Sequence, residues 1–368
     1  MNSVAADIAI IGAGIAGASL AAMIGDRARV VLIEAEAQPG YHATGRSAAF
    51  WSESYGGPLV QPLTTASGPW LETGGYLGPR GCLHIAEAAS AADLDTLVAE
   101  LDHGGVAWEP VDRVGLEAIV PGLDRRFDRG VSEPSCRDID VGRLHADCLA
   151  QAKRAGARQL VDAAVRAIVR HAGRWQIETR AGTVDAAVIV NAAGAWADEV
   201  ARMAGASPLT VRPYRRTMVQ LVTDPPMPPD MPLIMDAAGR FYFKPEAGGR
   251  LWLSPHDETL APAHDVAPEE LDVAIAIDRF EHVVDWRVTR RERAWAGLRS
   301  FAPDRLPVYG FDPDVPGFFW FAGQGGFGIQ TAPAAALLGA ALVLDAGLPA
   351  DVAHIDIAPY APDRFRSR

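Results

Sequence analysis

Three glycines near the N-terminus carry the first chemical signal in this chain. Gly12, Gly14 and Gly17 form G-x-G-x-x-G in "DIAIIGAGIAGASL", and Glu34 follows Gly14 by twenty residues. In this spacing the first glycine allows a tight turn, the second lets the backbone approach a pyrophosphate, and the third lets a helix pack closely on a strand. A carboxylate at the place of Glu34 can accept hydrogen bonds from an adenosine ribose. The pattern predicts a dinucleotide site, although it does not identify the dinucleotide.

A second signal is the Thr-Gly-Arg-Ser run in "GYHATGRSAAFWSESYG", from Gly40 to Gly56. Such a run could bind a phosphate, cap a helix or present Ser47 as a nucleophile. Ser47 lies in "GRSAA", one glycine short of the G-x-S-x-G elbow of α/β-hydrolases, and the elbow's strand, turn and helix are not evident around it. A hydrolase is therefore disfavoured, and the other two interpretations stay open.

Alternating strands and helices are predicted to position the glycine turns. Apolar strands are expected at residues 8–11 and 30–33, with a helix from Ile15 to about Ile24 between them. A strand at 187–190 leads into "NAAG", and a strand at 318–322 leads into a second glycine-rich turn and a long Ala/Leu helix. This last turn could simply enter a core helix. Alternatively, the helix N-terminus would stabilise the negative charge of a reduced flavin, as part of a long cofactor held at both ends.

The middle of the chain has the pattern of an antiparallel sheet. In "VRPYRRTMVQLV", Arg216, Met218 and Gln220 share one face of a strand, and "RFYFKPEAGGRLWLSP" predicts a hairpin. A helix is expected in "APEELDVAIAIDRFEHVV", and segments near 80–140 are expected to join the same sheet. We interpret this region as a domain inserted into the nucleotide-binding domain.

Composition excludes several classes of function. The 368 residues are 49% hydrophobic and 22% charged, and the net charge of -12 disfavours nucleic acid as a partner. Three cysteines without a C-x-x-C spacing, and no evident signal peptide, favour a cytoplasmic protein. No long uncharged apolar run predicts an integral membrane segment. The acidic stretch "SPHDETLAPAHD" fits no familiar ligand spacing, so we predict no metal site and interpret it as a solvated loop.

Five motifs together resemble the D-amino-acid oxidase superfamily of FAD-dependent oxidoreductases. They are "IIGAGIAG", "GYHATGRSAA", "VNAAGAW", "WAGLRSFAPDRLPVYG" and "GQGGFGIQT", and the bacterial D-arginine dehydrogenases are the branch they resemble most. The resemblance implies an α/β fold: a glutathione-reductase-like FAD-binding domain with an inserted antiparallel or mixed-sheet α+β substrate domain. We expect the FAD-binding domain at 1–80, 140–207 and 293–368, and the substrate-binding domain at 81–139 and 208–292.

The resemblance also implies an enzyme that oxidises the amine carbon of a D-amino acid or a related amine. Hydride passes to FAD, and the imine product hydrolyses to a keto acid. The implied catalytic residues are Tyr55, Arg216, Tyr242, Arg299, Gly326 and Gln330. The implied cofactor-binding residues are Gly12, Gly14, Ile15, Ala16, Gly17, Glu34, Ala35, Gly45, Arg46, Ser47, Ala48, Ala49, Val165, Ala193, Gly194, Trp196, Arg299, Gly325, Gly326, Phe327, Gly328, Ile329 and Gln330.

Each of these residues also has an ordinary structural interpretation. Arg216 resembles the residue that binds the substrate carboxylate, where a planar guanidinium suits bidentate contact, but alternation alone allows a sheet-face arginine. Arg299 resembles a second pocket arginine, but it could form an ion pair with Asp304 or Glu292. Tyr55 and Tyr242 match two pocket tyrosines whose hydroxyls orient a carboxylate, and both could instead be ordinary half-buried tyrosines.

Two departures from the D-arginine dehydrogenase pattern bear on the substrate. Phe50 stands where that branch has a histidine, and Cys82 aligns with the glutamate that pairs with the substrate guanidinium. An unpaired buried guanidinium costs about 3–5 kcal/mol, so a less polar D-amino acid is expected. The implied substrate pocket contains Phe50, Ser52, Cys82, Leu233 and Met235.

Several alternatives remain open at the level of sequence. One is oxidation of a 2-hydroxy acid, which would keep Arg216 but normally requires a base, and another is a flavin-binding redox partner without turnover. His42 lies in "HATG", which resembles a covalent flavin attachment motif, although the closer resemblance implies non-covalent FAD. The electron acceptor, oxygen or a quinone, is not identified by any motif.

Overall fold

The chain folds around two large β-sheets and one small one, shown here in a computed structural model that describes residues 3–366. The strands are β1 (Ser3–Ile11), β2 (Val30–Ile33), β3 (Phe50–Trp51), β4 (Leu77–Pro79), β5 (Cys82–Glu87), β6 (Glu109–Asp112), β7 (Phe127–Glu133), β8 (Arg137–Ile139), β9 (Arg158–Leu160), β10 (Val165–His171), β11 (Arg174–Thr179), β12 (Gly182–Asn191), β13 (Arg212–Asp224), β14 (Leu233–Asp236), β15 (Tyr242–Glu246), β16 (Arg250–Ser254), β17 (Thr259–Leu260), β18 (Arg287–Phe301), β19 (Val308–Phe311) and β20 (Phe318–Ala322). The helices are α1 (Ile15–Ile24), α2 (Gln61–Thr73), α3 (Ala91–Gly104), α4 (Arg113–Ile119), α5 (Val141–Arg154), α6 (Ala197–Met203), α7 (Glu270–Glu281) and α8 (Ala332–Val343).

The first sheet is the nucleotide-binding sheet. Its order is β10-β11-β12-β1-β2-β9, and β20 pairs with β12 and β19. The strands β1, β2, β9, β12 and β20 run parallel, so their Val- and Ile-rich segments are buried on both faces. Helices α1 and α8 pack on one face, and α6 packs on the other. The predicted strand–glycine–helix units are confirmed at both ends of the chain.

The glycine turn after β1 requires glycine for steric reasons. Gly12 has a φ of 103°, and a Cβ there would lie 2.4 Å from the carbonyl oxygen of Ala192. A Cβ on Gly17 would lie 1.9 Å from the carbonyl oxygen of Gly12. The first glycine therefore permits contact with the neighbouring strand end, and the third lets α1 pack against the turn.

The second sheet has nine strands and forms the inserted domain. Its order is β17-β13-β16-β15-β14-β5-β7-β6, and β18 pairs with β13. The β15–β16 hairpin and α7 are present as predicted, and β5, β6 and β7 confirm that the segments near 80–140 join this sheet. Its core includes Phe127, Phe243, Phe280 and Trp286, which are all buried.

The structure departs from the predicted domain boundaries in two places. Strand β18 pairs with β13 from Arg287 to Phe301, so the inserted sheet continues beyond residue 292. The predicted FAD-domain segment 1–80 also contains β3 and β4, which pair with β8 in a separate three-stranded sheet. Between residues 3 and 366, no helix combines the length and the apolar character needed to cross a membrane.

Replacing Gly17 with Ala should destabilise the protein, although alanine is normally the better helix former. The clash with the Gly12 carbonyl should lower the apparent free energy of unfolding by about 1–3 kcal/mol, the usual cost of overpacking, in a chemical denaturation experiment. Gly142→Ala is the matched control, because a Cβ there would lie 3.8 Å from Asp140 Oδ1. That variant should keep its stability or gain up to about 1 kcal/mol. Equal effects of the two substitutions would contradict the close packing of α1.

Candidate active site

A cavity of about 420 Å³ runs from the glycine turn of the nucleotide-binding sheet to the face of the inserted sheet. Its nucleotide end is bordered by the β1–α1 turn, and its far end by two arginines and a tyrosine. The predicted site residues that border it are Gly12, Gly14, Ile15, Ala16, Glu34, Ala35, Arg46, Ser47, Ala48, Val165, Ala193, Gly194, Trp196, Arg216, Tyr242, Arg299, Gly325, Gly326, Gly328 and Ile329. Residues from distant parts of the sequence are therefore brought to one continuous space.

Thr44 shows what the Thr-Gly-Arg-Ser run does. Its Oγ1 accepts a hydrogen bond from the N–H of Ile15 at 2.9 Å, so the run caps the first turn of α1 from outside the helix. A Cβ on Gly14 would lie only 3.1 Å from this hydroxyl, which limits that position to a small residue. The segment thus fixes the helix N-terminus at which an anion is favourable.

Two other side chains hold the β1–α1 turn. Glu34 accepts the N–H of Ala13 through Oε2 at 2.8 Å, and its Oε1 accepts the N–H of Glu36 at 3.0 Å. His145 donates from Nε2 to the carbonyl oxygen of Ala13 at 2.8 Å, and burial lowers the pKa of His145. Sequence reasoning found Glu34 and named helix capping as one possible role of the Thr44 run, but it did not identify α1 as the capped helix, and it missed His145, whose partner is far away in the chain.

These residues fit a long dinucleotide such as FAD. A side chain at Gly12 would collide with Ala192, and Glu34 borders the cavity beside the turn. The same cavity continues without a break to Gly325, Gly326 and the arginine end. A cofactor held at the turn could therefore reach the inserted sheet.

Arg46 joins the capping segment to the inserted sheet. Its Nη1 donates to the carbonyl oxygens of Val266 at 2.8 Å and Ala296 at 3.1 Å, and Trp295 donates from Nε1 to the carbonyl oxygen of Arg46 at 2.9 Å. Asp265 accepts from Nη2. Although Arg46 borders the cavity, its guanidinium is engaged with protein groups, so we assign it a positioning role.

His42 lies at the nucleotide end of the cavity. Its Nε2 is 3.0 Å from Glu36 Oε1, and its ring packs against Tyr41 and Trp196. Glu36 in turn donates its N–H to the carboxylate of Glu34, the residue that holds the β1–α1 turn. His42 is therefore engaged near the place predicted for the adenosine, and the expectation of non-covalent FAD stays a prediction.

The register of β13 and β18 brings the two predicted arginines together. Arg216 lies opposite Gly297, and Arg299, two residues further on, lies opposite Tyr214. Side chains two residues apart point to the same face of a strand, so the arginines are diagonal neighbours on one face. Gly297 leaves the space between them free of a side chain.

Arg216 is buried and only partly hydrogen-bonded. Its Nε donates to the carbonyl oxygen of Asp257 at 2.6 Å, and Nη2 is 3.0 Å from Glu258 Oε1. Its Nη1 is buried and has no hydrogen-bond partner within residues 3–366. Burial, together with the charge of Arg299, lowers the pKa of Arg216 to about 10. Arg216 borders the cavity, and its guanidinium thus has one donor without a hydrogen-bond partner among the described residues.

Arg299 has no carboxylate partner among the residues that the structure describes. Its Nη1 donates to the Tyr55 hydroxyl at 2.7 Å. The two ion pairs considered from sequence do not form, because Glu292 pairs with Arg250 and Asp304 pairs with Arg364. Although burial disfavours its charged form, the nearby Tyr55 and Tyr242 oxygens raise the pKa of Arg299.

The remaining predicted catalytic residues surround these arginines. Tyr242 is buried, and its hydroxyl contacts only the weak acceptor Met218 Sδ, at 3.1 Å. A Cβ on Gly326 would lie 2.8 Å from the Tyr55 hydroxyl and 3.0 Å from Arg299 Nη1, so this glycine allows their approach. Gln330 donates to the carbonyl oxygen of Tyr55 at 3.0 Å and to Thr64 Oγ1 at 2.9 Å. Its amide is therefore engaged with protein groups that hold Tyr55, and the catalytic role predicted for Gln330 stays a prediction.

The predicted substrate-pocket residues lie one layer behind the cavity surface. Phe50, Cys82, Leu233 and Met235 form a buried cluster with Ala48, Met218 and Tyr242. Ser52 is also fully buried. None of the five predicted pocket residues borders the cavity in the described part of the chain, nor do Tyr55, Gly17, Gly45, Ala49, Phe327 and Gln330. They support the wall, and the direct contacts predicted for them stay predictions.

The interpretation of "SPHDETLAPAHD" as a solvated loop was wrong for its first half. Asp257 accepts the Thr217 N–H at 2.7 Å and the Thr217 hydroxyl at 3.0 Å, and burial raises the pKa of Asp257. Glu258 pairs with Arg216 and, at 2.9 Å, with Arg305. The loop therefore covers Arg216, and only knowledge of the tertiary contacts could have revealed this.

Comparisons with known proteins agree with this geometry. Residues 7–342 match the DAO family, described as FAD dependent oxidoreductase. The chain is 26% identical to glycine oxidase from Geobacillus kaustophilus over 97% of each protein, and the crystal structure of that enzyme has a TM-score of 0.85 over 99% of this chain and 100% of that one. A crystal structure of L-proline dehydrogenase from P. horikoshii has a TM-score of 0.86, with 21% identity over 99% of this chain and 98% of that chain.

Other relatives are matched over a smaller part of their length. The hydrogen cyanide synthase subunit HcnC of Pseudomonas aeruginosa is 27% identical over 73% of this chain and 63% of its own length. The D-amino acid dehydrogenase of Agrobacterium fabrum is 28% identical over 60% of this chain and 52% of its own length. These matches span less than two thirds of the relatives concerned. The family match itself covers most of the chain, and the protein therefore belongs to the DAO family of FAD-dependent oxidoreductases.

Proposed function

We propose that this protein oxidises the amine carbon of a D-amino acid of low side-chain polarity. The observation that carries the proposal is the pair of buried guanidiniums at the end of the cavity, with Nη1 of Arg216 unpartnered and Arg299 bonded only to Tyr55. Glu258 pairs directly with Arg216, and no carboxylate within the described residues pairs with Arg299, so the charge of Arg299 is not balanced by a direct ion pair. A substrate carboxylate would neutralise that charge, and guanidinium forks suit its two oxygens.

The chain's own groups would bind and orient the substrate. Arg216 and Arg299 would hold its carboxylate, while the Tyr55 and Tyr242 hydroxyls border the same region. The rings of Phe50, Phe327 and Tyr55 pack together and exclude water from this side. FAD, when bound, supplies the acceptor of the hydride. The remaining task of the protein is to keep the amine neutral.

The charge of the site favours an amine over a hydroxyl. Two nearby guanidiniums lower the pKa of a substrate ammonium, because like charges disfavour the charged form. The amine can then lose its proton to water. A 2-hydroxy acid would need a positioned base. The acidic residues that border the cavity, Glu34, Glu36 and Glu199, belong to the nucleotide-binding domain, and the two histidines that border it are engaged, His42 with Glu36 and His264 with the carbonyl oxygen of Pro262. The resemblance and the similarity to D-amino acid dehydrogenase support the D-configuration.

Replacing Arg216 with Ala should raise KM for the amino acid roughly 10- to 100-fold, because a charge-assisted hydrogen bond is lost. Arg216→Lys should recover only part of the affinity, since an ammonium lacks the planar fork. Arg215→Ala is the matched control, because Arg215 is buried but pairs with Asp272 and Glu269. Steady-state kinetics measures all three variants. A KM in Arg216→Ala that equals the Arg215→Ala value would place the carboxylate elsewhere.

The charge of the substrate's side chain should determine which amino acids the protein oxidises. No acidic residue borders the arginine end within the described chain, and Cys82 is buried in the layer behind. We expect kcat/KM for D-arginine to be at least about 100-fold below that for D-valine or D-leucine, the cost of an unpaired buried guanidinium. D-citrulline has nearly the shape of D-arginine but no charge, and should lie between them. A preference for D-arginine or D-lysine in these steady-state rates would exclude the proposal of a less polar substrate.

Carboxylate binding should weaken above about pH 10. The pKa of Arg216 is lowered to about 10, so its positive charge is present below that pH and is lost above it. A short aliphatic carboxylate used as a competitive inhibitor should show a constant Ki up to that pH and a rising Ki beyond it. The corresponding amide is the control, and its Ki should not follow this titration. If the carboxylate and the amide lost affinity together, Arg216 would not be the titrating partner.

A further inference from the structure

A buried cluster behind the active-site wall combines three metal-binding side chains. Cys82 and His84 lie two residues apart on β5 and share a face, and Glu133 on β7 is paired with Cys82 in register. The three residues are 1%, 5% and 0% exposed. Their ligand atoms all lie within 4.8 Å of one another. The cluster contains no residue of the arginine site, and its existence does not depend on the proposed substrate.

Glu133 accepts hydrogen bonds from the Ser52 and Ser54 hydroxyls and from the Glu53 N–H, whereas its contact with His84 is long. The same imidazole nitrogen, Nε2 of His84, is 3.4 Å from Cys82 Sγ and 3.5 Å from Glu133 Oε2. A single N–H or lone pair cannot satisfy both neighbours well. A charge-assisted contact to a carboxylate would be about 2.7–2.9 Å long. His84 Nε2 therefore lies between a sulfur and an oxygen ligand atom, close to both.

The two separations from His84 Nε2 are close to the edges of a tetrahedral zinc site. Zinc binds Cys sulfur at about 2.3 Å, His nitrogen at about 2.0–2.1 Å and carboxylate oxygen at about 2.0–2.2 Å. In a tetrahedron these bond lengths place S and N about 3.5 Å apart, and N and O about 3.4 Å apart. The observed distances are 3.4 Å and 3.5 Å. His84 could therefore bind a metal together with either neighbour, and the Cys82 and Glu133 ligand atoms, which lie within 4.8 Å of each other, would have to reach the roughly 3.6 Å edge of a tetrahedron.

Neighbouring groups complete the cluster. The Cys136 thiol lies beside Cys82 and is fully buried, but it is outside the group whose ligand atoms are mutually within 4.8 Å, so it would have to move toward His84 and Glu133 to become a fourth donor. Glu133 accepts hydrogen bonds from the Glu53 N–H at 2.9 Å and the Ser52 hydroxyl at 3.1 Å, contacts of the kind that orient metal ligands. Zn²⁺ with the Cys82 thiolate, the Glu133 carboxylate and neutral His84 has no net charge, and Cys82 would release its proton to solvent on binding. Cys136 would bind as a thiolate and release a second proton, which would give the four-ligand site a net charge of about -1.

We propose that Cys82, His84, Glu133 and Cys136 form a structural site for a thiophilic, tetrahedral divalent cation, with zinc as the expected occupant. Soft thiolate and imidazole ligands in this geometry favour zinc over magnesium or calcium. The site would fasten β5 and β7 to the segment at Ser52–Tyr55, which carries a residue of the arginine site. No local spacing in the sequence indicates it, because Glu133 and Cys136 are remote from Cys82, and the expectation of no metal is revised in this proposal.

Metal analysis of the whole FAD-containing protein tests the site. The protein is expressed with added zinc and passed through a desalting column. We expect it to retain about one zinc ion per chain, measured by elemental mass spectrometry. Replacement by Co²⁺ should produce a thiolate-to-cobalt charge-transfer band in the near ultraviolet. Cys82→Ser and His84→Ala should each weaken zinc binding more than about tenfold. Cys148→Ser, which alters a buried cysteine of α5 in another cluster, should bind zinc as the unaltered chain does.

Several results would overturn the proposal. They are substoichiometric metal in the unaltered protein, absence of the cobalt band, equal loss of zinc in Cys82→Ser and Cys148→Ser, or a Cys82–Cys136 disulfide in the non-reduced protein. If the Cys82 variant failed to fold, the cobalt spectrum of the unaltered protein would decide the question. None of these measurements depends on turnover, so failure of the proposed amino-acid oxidation would leave them interpretable.

Discussion

Two buried guanidiniums on adjacent strands impose the main electrostatic constraint on this structure. A buried charge is costly unless it is paired and hydrogen-bonded. Here Arg216 has the Asp257 carbonyl and Glu258 as partners, and Arg299 has the Tyr55 hydroxyl. No carboxylate within the described residues pairs with Arg299, so its positive charge lies without a direct ion pair at the end of a long cavity. An anionic ligand would neutralise this positive charge. The need for such a ligand connects the fold to the proposed chemistry.

Much of the surrounding structure serves to bring these charges against the nucleotide-binding domain. Register between β13 and β18 places the arginines on one face, and Gly326 lets Tyr55 and Arg299 approach the glycine turn before α8. The segment from Gly40 to Gly56 connects the two halves. Its Thr44 caps α1, its Arg46 holds β18, and its Tyr55 reaches Arg299. A displacement of this segment would therefore disturb both ends of the cavity together.

Local patterns predicted the parts of the molecule whose geometry is local. The glycine spacing gave the β1–α1 turn, and strand alternation correctly placed Arg216 and Met218 on the cavity face. The extension of β18 to Phe301 was missed, because pairing with β13 is a tertiary contact. The contact of Thr44 with α1 was missed for the same reason, as were His145, Asp257 and Glu258, since each meets a partner distant in sequence. The loop at Asp257 was misjudged because acidic composition usually indicates solvent exposure.

Anaerobic mixing of the purified yellow protein with a D-amino acid and with the matching 2-hydroxy acid tests the central claim most directly. The two ligands carry the same carboxylate and side chain, so they differ only in the group to be oxidised. We predict that D-valine or D-leucine bleaches the flavin absorbance in the absence of oxygen, whereas the hydroxy acid binds without bleaching it. Flavin that is bleached by the hydroxy acid and not by the amino acid would contradict the account.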